Sequence, residues 1–596
     1  MLKGFISRLI GSVQAKALFP ERPVIYFYPE YQDCPECDSR LHVQKTADPK
    51  TVVTNDIGAF IAKETVGICP RGHGTFKSEL LRSLVPKNGT FGFDIIVEVG
   101  FALFVHSRSN QEIIAALATK NVFLSEREVS YLGRKFIIYL SLAHRQSQAV
   151  LKEYLADRGG YILHVDGTCE GNSPNLFCGL DGLSELVLDS VKISSEKKDQ
   201  LIPFFRDIKN RFGEPRALVH DMGKGILNAV AEVFPDTPDY ICHFHFLRDI
   251  GKDLLLSDYT AFYKRLRKLK IRPTLKQRGR YLEQKVNPES HDIDGIAGII
   301  QQGALCSIDF EPISDIIVYM LIEWIFEYPS QSSGYGFPFD RTHLDFYRRL
   351  QEVYQILGKF KDTDMTQKAK KPVIQIYKVL VEFAEDQRLN DLAKDLEVKS
   401  AVFDKLRGAM RIALPDGKDG INDNGGCSDM KTIKERVTAF RKWLPRNKHR
   451  AKTYAGMIKQ IDKYWEKLFA DPIPIQTPQG TIIVQPQRTN NILERFFRNE
   501  KRRGRKKTGT ASLNRMLKSI LANTPLVQNL KNEEYLKIIL NGCPSLKERF
   551  SQIDARLVQQ EMASTTQNKD KILPAIKKMI TDVKFTEKIS KLICPC

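Results

Sequence analysis

The chain has 596 residues, 42% hydrophobic and 27% charged, with 91 Lys and Arg against 71 Asp and Glu and a formal net charge of +20. That length exceeds one compact core and predicts several domains, and the lack of a run of about 18 apolar residues argues against a membrane span. A positive excess of this size calls for a polyanionic partner, of which nucleic acid fits best, and 11 cysteines in so long a chain read as reduced thiols, some of them metal ligands, rather than as a disulfide scaffold.

The opening MLKGFISRLIGSVQAKALF is amphipathic, but Ser7, Arg8 and Gly11 interrupt its apolar stretch, so it does not read as a secretory signal. Next come CPEC, with Cys34 and Cys37, and CPRGH, with Cys69 and His73. Two ligand pairs in tight turns suit one tetrahedral zinc ion. The segments between them, LHVQKT and TVVTNDIGAFIAKETVGI, alternate like the short strands of a zinc ribbon. The plainer alternative is two unrelated cysteine-bearing turns, and His73 is the departure from the commoner all-cysteine pattern. From Ser107 to Ser141 the pattern is helical: Ile113, Ile114 and Leu117 share one face, and a break falls near Asn121. Ser125 with Glu128 then forms a capping box ahead of Val129, Leu132 and Phe136. This spacing predicts a helix-turn-helix whose second helix could enter a DNA major groove, against the alternative of a hairpin that merely packs.

From residue 161 strands take over. YILHVDGT ends at Asp166, Asp181-Gly182 marks a hairpin turn, and KKDQLIPFFRDIKNRFG sets Leu201, Phe204, Phe205 and Ile208 on one helix face. RALVHDMG is a strand ending at Asp221, GILNAVAEVF a helix, and DYICHFHF a further strand. The order of three strands, helix, strand, helix, strand matches an α/β ribonuclease-H-like core, with both aspartates at strand ends.

The residues HVDGT, VHDMGKG, CHFH and TNNILERFFRNEKRRGRKKTG resemble the motifs of DDE transposases, most of all the Mutator-like superfamily and related bacterial insertion-sequence transposases. The resemblance covers roughly residues 155 to 515. It implies a catalytic triad of Asp166, Asp221 and Glu494 holding two Mg²⁺ or Mn²⁺ ions, with Asp166 bridging both and the other two each holding one. It further implies DNA strand hydrolysis followed by transfer of the 3′-OH, with element ends and target DNA as partners. A homodimer or higher multimer, no membrane, and a nucleoid or nuclear location complete the expectation. Cys242 and His245 match the family's Cys-x-x-His pair; no second ligand pair lies nearby, so a structural role is expected of them.

Residues from 256 to about 470 read as successive amphipathic helices, including ISDIIVYMLIEWIFEY and QEVYQILGKF, with breaks at SSGYGFPFD and PDGKDGINDNGG. PIQTPQGTIIVQPQ then predicts a hairpin. Beyond it the cations Arg488, Arg495, Arg498, Lys501, Arg502, Arg503, Arg505, Lys506 and Lys507 surround the glutamate, and phosphate contact is the expected role. Cys594 and Cys596 at the end form a lone candidate metal pair. The predicted layout is a zinc-ribbon-like module (1–85), a helix-turn-helix region (86–155), the core's first part (156–255), a helical insertion (256–480), the core's second part (481–525) and a helical tail (526–596). Two rivals share much of this pattern: a ribonuclease-H-like nuclease without strand transfer, and a transposase-derived DNA-binding regulator that no longer cuts.

Overall fold

A computed structural model describes residues 22–285, 313–362, 366–415, 420–422, 429–446, 448–478, 480–510 and 512–567, with a few positions in 295–298 and 585–590. The amphipathic start, Cys594, Cys596 and most of PDGKDGINDNGG lie outside them. No helix among the described residues is long and apolar enough to cross a membrane. The chain is mixed α/β and forms two compact units. One comprises the described residues up to Asp239, Ile473–Pro486 and those from Asn490 onward; the other comprises Tyr240–Pro472 and Gln487–Thr489.

The first unit begins with a five-stranded sheet gathered around one long strand. β4 (Gly58–Ile68) pairs in parallel with β1 (Val24–Phe27) and antiparallel with β2 (His42–Thr46), β3 (Lys50–Thr54) and β5 (Thr75–Phe76). It has a small core of its own, in which Phe27, Val52, Phe60, Ala62, Leu81 and Val85 meet.

The expected helix pair is present at Asn110–Ala118 and Glu126–Gln146. Both helices open with full capping boxes, Ser109 with Glu112 and Ser125 with Glu128. The second helix keeps Glu126, Arg127, Ser130 and Tyr131 exposed in its first half, but it does not stop there. It runs 21 residues, and Phe136 to His144 are all buried. The run FIIYLSLA has no polar face to show to water, so hydrophobic burial draws it inside. Tyr139 stacks on Phe550 with ring centroids 5.1 Å apart, and Phe136 meets Phe101 edge-on at 5.9 Å. One hydrophobic core therefore runs from Val53 through Phe93 and the sheet described next to Val558. The regions 86–155 and 526–567 belong to that core and are not separate domains.

The main sheet has the order β10-β9-β6-β7-β8, formed by β6 (Ile162–Thr168), β7 (Asn175–Asp181), β8 (Val187–Ile193), β9 (Ala217–His220) and β10 (Asp239–Ile241). β6, β7 and β8 are antiparallel neighbours, and β6 pairs in parallel with β9. Phe177 on β7 packs edge-on against Phe204 and Phe205 of helix Lys198–Phe212, at 5.2 and 6.1 Å. Because strand side chains alternate, that helix covers the face of Leu163 and Val165, and His164 and Asp166 point to the other face. The expected strand DYICHFHF is cut short: β10 ends at Ile241, and Cys242 caps a helix over His243–Lys268. His243, Phe246, Leu247 and Ile250 already follow the i, i+3, i+4, i+7 spacing of a buried helix face, and that period prevails over the local alternation.

His144 ties this core together. Its Nε2–H donates to the Leu188 carbonyl and its Nδ1 accepts from the Tyr535 hydroxyl, both at 3.0 Å. Burial pushes its pKa down to about 3. The unfolded chain, with His near 6.5, takes up the proton first, so this contribution is complete above about pH 6.5 and is lost as pH falls toward 3. Denaturant titrations over that range are expected to show stability falling with pH. Tyr535→Phe leaves the buried Nδ1 without a donor and is expected to cost about 1–3 kcal/mol. An unchanged unfolding midpoint in that variant would remove the network from the fold's support.

The second unit, among the described residues, is helical. ISDIIVYMLIEWIFEY becomes helix Ser314–Phe326, and QEVYQILGKF falls within Thr342–Lys361. Helices Gln367–Ala384, Gln387–Met410 and Met430–Trp443 follow. Phe244 stacks on Phe339 at 4.8 Å in its core, beside the buried Arg407. Back in the first unit, β11 (Ile473–Thr477) and β12 (Gly480–Val484) form the expected antiparallel hairpin.

Candidate active site and metal centre

The cysteine turns come together as the spacing predicts. Cys34 and Cys69 are buried. Cys34 Sγ lies 3.6 Å from His73 Nδ1, Cys37 Sγ 3.6 Å from Cys69 Sγ, and Cys69 Sγ 3.7 Å from His73 Nδ1. All four ligand atoms fall within 4.8 Å of one another. Tetrahedral zinc with metal–sulfur bonds of about 2.3 Å would set its thiolates about 3.8 Å apart, so the group could hold such an ion, whereas a disulfide would need a separation of about 2 Å. Asp38, at φ 53°, closes the first turn, where its N–H donates to the Cys34 carbonyl at 2.8 Å. In the second turn the Arg71 N–H points at Cys69 Sγ, 3.3 Å away. Ser39, through its hydroxyl and its amide, holds the Cys37 thiol down at about 6, which favours the thiolate a metal needs.

The carboxylates meet at one end of the main sheet. Strand register pairs Ile162 with Ala217, Leu163 with Leu218 and His164 with Val219. Continuing that register two residues sets Asp166 beside Asp221, just past the end of β9. Glu494 reaches them from a distant part of the chain, on helix Asn491–Thr508. Asn490, fully buried, anchors that helix: its Nδ2 donates to the Val165 carbonyl at 2.9 Å, and its Oδ1 accepts from His164 Nδ1 at 3.1 Å. The helix is thereby fastened to β6 one residue before Asp166.

The sequence reading missed a fourth acid. Glu196, in the loop after β8, accepts from the Asn175 amide at 2.5 Å. Two glycines make room for it. A Cβ on Gly167 would stand 2.5 Å from Glu196 Oε1, and one on Gly225 would stand 1.8 Å from the Glu196 carbonyl oxygen. Nothing in SSEKKDQ marks Glu196 out; Gly167, next to Asp166, and Gly225, four residues after Asp221, were the available signal. Burial holds the Asp166 carboxyl well above the ordinary carboxylate range, and the charges of Asp221, Glu494 and Glu196 push it the same way. Burial likewise raises Glu196, the Asn175 amide opposes this, and Asp221 adds to it. A buried carboxylate crowded by three others is the electrostatic complement of divalent cations, and an all-oxygen donor set suits Mg²⁺ or Mn²⁺. The acids are set more loosely than the thiolates: among the described residues, only the Cys34 group brings three or more ligand atoms within 4.8 Å.

The basic run divides by helix geometry. At about 100° per residue, Arg495, Arg498, Lys501, Arg502, Arg505 and Lys506 fall on one side of helix Asn491–Thr508, and all six are exposed. Glu494 falls within the same sector. Arg503 and Lys507 turn inward. The first pairs with Glu500 at 2.6 Å; the second lies over the Phe104 ring at 4.8 Å, and burial lowers its ammonium to about 8. Arg488 departs from its expected role. It is buried, and its guanidinium donates to the carbonyls of Met410 and Arg411 at 2.5 and 3.1 Å, where a helix end leaves acceptors unpaired. It serves the fold and is not a phosphate contact. Cys242 is buried at the cap of helix His243–Lys268, and His245 lies in that helix's first turn. Both lie in the helical unit and outside the one metal-like group among the described residues.

No protein-family model matches this sequence, and no curated protein matches it.

Alanine at any exposed stripe position is expected to weaken DNA binding and to reduce the slope of log affinity against log salt by about 0.9 for each phosphate no longer neutralised. Arg498→Ala and Arg502→Ala test this by titration at several salt concentrations, with Arg488→Ala expected to lower stability instead. Unchanged slopes for the two stripe variants would leave the run a merely solvated face.

Proposed function

We propose that the chain is a DNA transposase, which hydrolyses a DNA strand and then transfers the freed 3′-OH into target DNA, on a ribonuclease-H-like core interrupted by a helical insertion. The observation that carries this reading is the meeting of Asp166, Asp221 and Glu494 at one end of the sheet, with Glu494 brought there by the Asn490 anchor. Asp166, Asp221 and Glu494 would together hold the Mg²⁺ or Mn²⁺ ions. Two such ions supply charge stabilisation to the attacking and leaving oxygens of a phosphodiester. The chain's own residues do the positioning. The Gly167 N–H, donating to Asp166 Oδ1 at 2.8 Å, and the Gly223 N–H, donating to Asp221 Oδ1 at 3.0 Å, fix the two carboxylates. The exposed cations beside Glu494 hold the phosphates of the strand. No covalent protein nucleophile is needed, because water and then the DNA 3′-OH attack in turn. The helical unit and the Cys34 metal group fit end recognition and assembly of a dimer or higher multimer on DNA.

The test is incubation of the protein with Mg²⁺ or Mn²⁺ and DNA carrying the sequences that flank its gene, mapping new 3′ ends and sequencing any joined products. Defined 3′-OH ends and joined products are expected. Cutting without joining would replace this reading with a nuclease, and specific binding without metal-dependent cutting would replace it with a regulator.

A further inference from the structure

A cleft of about 290 Å³ lies in the first unit, away from the carboxylates, between helix Asn491–Thr508, helix Leu513–Ser519 and the helical segment at Phe104. Its rim is cationic: Arg134, Lys501, Arg505 and Arg515 line it, none in an ion pair among the described residues. One wall is apolar, built from Leu103, Phe104, Leu513 and Met516. Two further polar side chains lie along it, the buried Thr524 and the half-buried Lys507. Thr524 is 5% exposed, and its hydroxyl has no hydrogen-bond partner among the described residues. Lys507 also lines the cleft; its ammonium lies over the Phe104 ring with no carboxylate at ion-pair distance among the described residues. Cations beside an apolar wall suit a ligand that carries both an anionic and an apolar part.

We propose that this cleft seats a single unpaired nucleotide of a DNA strand, its phosphate on the cationic rim and its base against the apolar wall. The proposal rests on the DNA reading given above and names a strand subsite within it. A ligand with both an anionic and a flat apolar part satisfies both walls at once, as unpaired nucleotides do on other single-strand binding surfaces. The volume is at the small end of ligand sites, about 300 Å³, and admits one base but not a base pair. DNA is favoured over a free nucleotide because Lys501 and Arg505 belong both to the rim and to the exposed stripe, so a strand lying along the stripe is led into the cleft. From Glu494 to Lys507 the helix rises about 20 Å, or about six nucleotides of a B-form strand from the point of cutting.

The test uses full-length protein carrying Asp166→Asn, without divalent ions, so that binding is read apart from cutting. Fluorescence anisotropy compares a short unpaired oligonucleotide with its duplex. Ser130→Trp, at an exposed position on the rim, is expected to weaken unpaired-strand binding about tenfold or more while leaving duplex binding unchanged, since a seated base contributes about 1–3 kcal/mol. Met516→Ala, which cuts back the half-buried apolar wall, is expected to give a several-fold loss in the same direction. Equal losses on both DNA forms, or no loss with either variant, would overturn the subsite. Deoxyadenosine monophosphate competing as strongly as the oligonucleotide would overturn the strand assignment in favour of a free nucleotide. A parent protein that binds neither DNA form would sink the DNA reading itself.

Discussion

Asp166→Asn is expected to lower metal-dependent strand cleavage about 10³-fold or more, with DNA affinity nearly unchanged. The size follows from what the residue does in the proposed reaction. Asp166 would help hold the ions that offset the charge developing in phosphoryl transfer, and such stabilisation amounts to several kcal/mol, each 1.4 kcal/mol being tenfold in rate. Asparagine keeps the shape and one oxygen but loses the charge that binds the ions. Asp221→Asn and Glu494→Gln are expected to act in the same direction, because both press on the same buried carboxyl. Asn490→Ala is expected to reduce cleavage without touching any carboxylate, since it releases the helix that carries Glu494 and leaves His164 Nδ1 and the Val165 carbonyl unpaired. Single-turnover cleavage measured beside filter binding separates these effects. A variant that cuts at the wild-type rate would take its residue out of the site, and parallel losses of cutting and binding would point to unfolding instead.

The second large effect is expected from the Cys34–Cys37–Cys69–His73 group. Its sheet meets a small apolar cluster of six buried side chains around Phe60 and touches the large core only through Val53 and Ala59, and cores of that size need a further staple. Zinc held by such ligands supplies about 10–16 kcal/mol of folding free energy. Chelation, or Cys34→Ser, is therefore expected to open β4 to hydrogen exchange while Leu163 and Val165, inside the large core, remain protected. One zinc per chain by atomic absorption is the accompanying expectation. A protein purified without metal whose β4 amides stay protected would show that the sheet stands on its own packing.

Several features were legible because their physical cause is local. The capping boxes at Ser109 and Ser125, the amphipathic helix around Phe204 and Phe205, and the hairpin over residues 473–484 are each decided by a few neighbouring residues. The two cysteine turns were legible for the same reason, since Cys34 with Cys37 and Cys69 with His73 need only a tight turn each. The departures from the expected pattern share one cause. Helix Glu126–Gln146 has a well-formed start, and its turn looks like that of a DNA reader, yet its later run of apolar residues belongs to a core assembled from segments hundreds of residues apart. His243 to Phe246 alternate locally but are taken up by a longer helical period.

By itself the sequence determined the chemistry available to this protein: which strands carry an aspartate near their ends (β6 runs two residues past Asp166, and β9 stops one before Asp221), where a glutamate follows asparagines, where thiols pair, and how much positive charge surrounds the glutamate. Only the tertiary structure decided how these groups are used. It set Asp166 beside Asp221 through parallel pairing, fastened the Glu494 helix to β6 through Asn490, and brought Glu196 to the same acids. It also sorted one run of cations into outward Arg498, inward Lys507 and buried Arg488. The reason is that direction and burial depend on partners far along the chain, and a side chain's type does not say which of its possible partners will be within reach.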